Sequence, residues 1–158
     1  MSDQYLTILQ ESLHKKIQIL DEIQRICDYQ GTILEKEPVD FEKFDQCVDD
    51  KDICIEQLNQ LDEGFERLYE KVREKLQDHR EEHAEWIRTT KELITCITEK
   101  SVAIQTREAR NKQTLETVFR KEREGFGKGK KSVKAAMDYY RNMNHAAGVT
   151  SQYMDRKK

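Results

Sequence analysis

The chain has 158 residues, 37% of them charged and 8% aromatic, with a mean hydropathy of −0.93. That length fits one domain, and the polarity excludes a large globular core while suiting long helices that bury only a stripe. Net charge is −3 with acids and bases interleaved, which reads as solvated helical faces carrying i,i+4 pairs and points to no particular partner.

The one basic run (Arg120, Lys121, Arg123, Lys128, Lys130, Lys131 and Lys134) is short and sits in an otherwise acidic protein, so no nucleic acid is expected. Disorder is the obvious rival for so polar a chain. It is excluded by apolar residues that recur at helical spacing, and by the scarcity of breakers. Pro38 is the sole proline, and four of the six glycines fall in the last quarter. The start, MSDQYLTILQESL, has neither the charged nor the apolar region of a signal peptide, and no apolar run approaches the ~20 residues of a membrane span. A cytoplasmic protein without membrane insertion is expected. Cys27, Cys47, Cys54 and Cys96 show no CxxC pairing and read as small, reduced packing residues.

The first predicted helix covers about 3–36. Leu6, Leu13, Leu20, Cys27 and Leu34 recur every seven positions, with Leu9 and Ile23 between them and Ile17 and Ile26 widening the stripe. Glu37-Pro38 ends it.

Asp40 then offers an N-cap oxygen to a second helix over about 40–77. Phe41, Val48, Ile55, Asp62, Tyr69 and Leu76 form one line; Phe44, Lys51, Leu58, Phe65 and Val72 form another, flanked by Cys47, Cys54, Leu61 and Leu68. A stripe this wide suits a bundle better than a two-stranded coil. Gly64 weakens the helix locally, so a kink is possible there.

Gln77–Glu82 carries no apolar residue and is the best place for a reversal before a third helix over about 82–124; a single helix over 41–124 is the alternative. The third helix has lines Ile87, Ile94, Ser101, Leu115 and Thr90, Ile97, Ile104, Val118, with Trp86 and Leu93 alongside. Between Gln105 and Thr114 only Ala109 is apolar, so that end is expected to overhang its neighbours or pack loosely. The fold class is therefore all-α: an antiparallel long-helix coiled-coil hairpin or three-helix bundle over residues 1–124.

Alternate glycines in Gly125-Phe-Gly-Lys-Gly129 make residues 125–131 a Gly/Lys hinge. Beyond it, residues 132–158 hold a short amphipathic helix with Val133, Ala136, Met137, Tyr140 and Met143 on one face, and a tail offering Tyr153 and Met154. These seven residues are the candidate partner-binding set. Methionine and tyrosine suit adaptable interfaces, and an apolar helix face can lie in a groove or along a partner's helices. The competing reading is a fourth helix packed onto the bundle.

Two motifs hint at chemistry. His79-Arg-Glu-Glu-His83 matches the H-x-x-E-H pattern of inverted zinc proteases, in which Glu82 would be the base if a helix put both histidines on one face. The pattern supplies no third ligand or walled cleft, and a charged helix end explains it better. Gly125–Ser132 misses the phosphate-loop spacing by a residue and follows a helix rather than a strand. No catalytic, metal or cofactor site is expected.

The stretches Tyr5-Leu-Thr-Ile-Leu-Gln-Glu-Ser-Leu, Gln57-Leu-Asn-Gln-Leu-Asp-Glu-Gly-Phe, Ile104-Gln-Thr-Arg-Glu-Ala-Arg-Asn and Ala135-Ala-Met-Asp-Tyr-Tyr-Arg-Asn-Met carry a family likeness. With the glycine-basic hinge and the final Tyr-Met-Asp-basic tail, the chain resembles the FlgN-type flagellar export chaperones of Gram-positive bacteria. The resemblance implies a cytoplasmic type III export chaperone that binds the helical termini of hook-associated, hook–filament junction proteins and delivers them to the export apparatus. In that family the carboxy-terminal part binds the client, which maps here onto residues 132–154. The rival implications are a filament-cap-type flagellar chaperone and a structural coiled-coil homodimer or adaptor; the chain could be a monomer or a homodimer.

Overall fold

The structure is a computed structural model that describes residues 2–122, and within them every element is helical. α1 spans Ser2–Glu35, α2 Phe41–Asp78 and α3 Ala84–Glu122. Each begins within two residues of its expected start. The hinge and the amphipathic segment, with Val133, Ala136, Met137, Tyr140, Met143, Tyr153 and Met154, lie outside the described residues.

α1 buries a strict heptad seam of Leu6, Leu9, Leu13, Lys16, Leu20, Ile23, Cys27, Gln30 and Leu34. Its 34 residues make a rod about 50 Å long. The chain reverses over residues 36–40, and Asp40 opens α2 as an N-cap. Its backbone is extended (φ −86°, ψ 90°), and its side chain accepts a hydrogen bond from Lys43 N, satisfying one of the free amides of the first turn. α2 runs through Gly64 without interruption. His79 is its C-cap, with its backbone N–H donating to Lys75 O at 3.0 Å. Residues 79–83 form a turn, so the single helix over 41–124 does not exist.

α2 lies antiparallel to α1, as Lys16–Asp62, Cys27–Lys51 and Gln30–Phe44 show by their opposed numbering. α3 runs parallel to α1. Trp86 Nε1 donates to Leu6 O at 2.9 Å, Gln10 Nε2 to Thr90 Oγ1 at 3.1 Å, and Asn111 Nδ2 to Cys27 O at 2.9 Å. α1 is the common neighbour. No Cα of α2 comes within 8 Å of a Cα of α3, so these two helices meet only through their longer side chains. The core that joins all three includes Phe44, Val72, Ile97, Ile104 and Leu115, each no more than 2% exposed.

One expectation fails. The stretch after Gln105 neither overhangs nor packs loosely: Glu108, Asn111 and Leu115 are buried, and Ala109, its only apolar residue, is exposed. The seam continues there through polar side chains, which a search for apolar residues reads as a gap.

Candidate functional site

Two features stand out among the described residues: a set of buried polar groups in the seams, and an apolar notch between α1 and α2. The first is built from heptad positions that carry charge. Lys16 on α1 donates to Asp62 Oδ1 on α2 at 2.7 Å, with the lysine side chain 2% exposed. About three turns away, Lys51 of α2 reaches across to Glu108 of α3, donating to Oε1 at 2.6 Å, and the lysine is wholly buried. The Cys27 thiol of α1 donates to the same carboxylate oxygen at 2.9 Å and lies 3.8 Å from Lys51 Nζ. This layer ties α2 and α3 to one another as well as to α1.

Cysteine, glutamate and lysine together resemble a nucleophilic centre, but their geometry opposes that use. Burial pushes the Cys27 thiol pKa up; Lys51 works against the shift, while Glu108 adds to it. The thiol therefore keeps its proton and spends it on the carboxylate. A reactive cysteine needs a thiolate and access, and Cys27 is 0% exposed. Cys47 and Cys54 are also buried, with thiol pKa values raised chiefly by burial, and all four cysteines are free thiols, as expected for packing residues. Burial likewise raises the Asp62 carboxyl, and Lys16 offsets this only in part. Asp62 Oδ2, Glu108 Oε2 and Gln30 Oε1 have no hydrogen-bond partner, so each carboxylate is satisfied on one oxygen only and Gln30 only through its amide nitrogen, which donates to Phe44 O.

The second feature is a notch of about 250 Å³. Leu9, Ser12, Leu61, Phe65 and Leu68 line it, Ile8 stands at its edge, and Glu11, Lys15 and Gln60 rim it. Phe65 is 3% exposed and stacks on Tyr69, with ring centroids 6.1 Å apart, so the floor is held firmly. The gap opens at Gly64, where an added Cβ would meet nothing within 4 Å. Ile8 escaped the sequence pattern because it lies off the seam; Gly64 was visible, but only as a weak point in a helix.

The two histidines sit in the 79–83 turn, not on one helix face, so the geometry required of an H-x-x-E-H zinc site is missing. His79 caps α2, and the His83 carbonyl accepts from Ile87 N at 2.9 Å. A shallow concavity of about 410 Å³ beside this turn is rimmed by Arg80, Arg88 and Lys91, with Arg88 held by Glu85 and Glu92 on its own helix. Among the described residues, no three His, Cys, Asp or Glu side chains gather as a metal-ligand set, and no helix is long and apolar enough to cross a membrane.

Fold and side-chain layout of the described residues define an all-α protein of three long helices with charged core layers and an apolar notch between α1 and α2. No protein-family model, curated protein or solved structure matches the chain. Of the four stretches singled out in the sequence, Tyr5–Leu13 lies on α1, Gln57–Phe65 on α2 and Ile104–Asn111 on α3. The first two face each other across the notch. The fourth, residues 135–143, lies outside the described residues.

Proposed function

We propose that this chain is a holding protein without catalytic activity: a cytoplasmic flagellar export chaperone for hook–filament junction proteins. The observation that carries the reading is the sequence resemblance, which runs through all three helices and into residues 135–143. The three helices form the scaffold. The amphipathic pattern of Val133, Ala136, Met137, Tyr140 and Met143, followed by Tyr153 and Met154, supplies the apolar face that captures a helical terminus of the client. Binding by apolar burial is reversible, as release for export requires. The basic residues of the hinge steer the encounter toward an acidic partner or toward the export apparatus.

The test is a titration of the purified chain with purified hook–filament junction proteins, repeated on a chain ending at Lys131. We expect a reversible complex with the full chain, and a truncated chain of unchanged helicity that has lost it. A truncated chain that binds with full affinity overturns the assignment of residues 132–154. A full chain that binds none of these proteins overturns the chaperone reading, and selective binding of the filament-cap protein replaces it with the rival client.

A further inference from the structure

Four large apolar side chains are exposed on the described surface: Ile8 at 44%, Tyr29 at 47%, Ile53 at 58% and Val102 at 55%. Isolated exposed residues of this kind are ordinary. Ile8 stands beside a cavity. It projects at the edge of the α1–α2 notch, whose opening at Gly64 has no side chain to fill it. A knob and a hole thus share one patch, with Leu61 and Leu68 as the apolar wall.

The charges on the rim have the same property. Glu11 and Lys15 are both exposed and lie one helical turn apart on α1, carrying opposite signs on either side of Ser12. A two-fold axis near Ser12 sets two such helices antiparallel. It brings Glu11 of one copy toward Lys15 of its mate, and Lys15 toward Glu11, while each Ile8 meets the other copy's notch. An isologous contact requires a patch that complements itself in shape and in charge.

We infer that the α1–α2 face around Ile8 and Gly64 is a self-association surface, and that its occupant is a second copy of this chain. About twenty residues of each helix offer a face roughly 30 Å by 20 Å, or about 600 Å² per protomer, which is at the small end of stable interfaces. The dimer is therefore weak, with a dissociation constant on the order of micromolar. This inference stands apart from the chaperone reading, because neither the client nor residues 132–154 enter it.

Sedimentation of the full-length chain over a concentration series tests it. We expect a reversible monomer–dimer equilibrium, weakened at least tenfold by Ile8→Gln and by Gly64→Gln, the latter adding a polar side chain where the helix has open space. Glu11→Lys and Lys15→Glu should each dissociate the dimer through paired like charges. Mixing these two variants should restore association as a heterodimer, since every rim pair is then of opposite sign. Circular dichroism of each variant confirms that the helices persist. A wild-type chain that stays monomeric at about 100 µM overturns the inference, whether the chain's own tail or a client helix fills the notch. A dimer indifferent to Ile8→Gln, or charge variants that fail to recombine, overturns it equally.

Discussion

Lys51 is a lysine with no exposed surface, held by a carboxylate from a helix whose Cα atoms stay more than 8 Å from those of its own. Two buried ions attract strongly, but taking them out of water costs a similar amount, so the pair adds little net stability, while losing one partner is expensive. Lys51→Met should therefore destabilise the bundle by about 3–5 kcal/mol, because it leaves the Glu108 carboxylate buried and unpaired. Lys51→Met combined with Glu108→Leu should recover most of that loss or exceed wild type, as read from urea midpoints. Asp62 gives a second test at this scale. Its carboxyl is raised by burial, so it holds its proton more tightly folded than unfolded. Between the ordinary carboxylate range and the raised folded value, the folded state binds more protons, and this residue's contribution to stability falls as pH rises. Asp62→Asn should remove that decline from the pH profile of the urea midpoint on the alkaline side of the ordinary carboxylate range, whatever it does to the overall level. Lys51 and Asp62 were visible in the sequence as charged members of the apolar lines. Lys16 and Glu108 were not, because their partners are 46 and 57 residues away and nothing local marks them.

The helices themselves follow from local rules. Heptad spacing, the Asp40 cap and the polar run after Gln77 place all three within two residues at their starts. The polarity of the seam after Gln105 hid the packing of α3, since Glu108 and Asn111 are buried by the neighbours they bond rather than by their own chemistry. The same long-range logic separates the two helical glycines. Gly64 has open space around it, so Gly64→Ala should stabilise α2 by about 0.5–1 kcal/mol through helix propensity alone. Gly31 is covered by Arg107, and an added Cβ would fall 1.8 Å from Nη2. Gly31→Ala must displace that guanidinium from Asp28, whose carbonyl it reaches at 3.5 Å. Its propensity gain should be offset, leaving the thermal midpoint unchanged or lower, while that of Gly64→Ala rises. The charged layers also set register. A slip of α2 by one heptad along α1 keeps apolar residues against apolar residues, but moves Lys16 away from Asp62 and Lys51 away from Cys27.

At the scale of the whole molecule, α1 binds a helix on each side, and α2 and α3 are joined through side chains alone. Helix order and fold class were legible in the sequence because periodicity carries them. The central position of α1 and the notch at Gly64 were not, since both depend on which faces the three rods turn toward each other. The rods form a stiff platform, and the proposed function assigns capture of the client to the apolar positions beyond the glycine hinge. The most direct test replaces Val133, Met137, Tyr140 and Met143 together with glutamine in the full-length chain, then measures binding to the hook–filament junction protein by calorimetry. We expect an unchanged thermal midpoint for the helical bundle and at least a hundredfold loss of affinity, about 2.7 kcal/mol. Undiminished affinity in that variant would contradict the assignment of the holding surface to the tail.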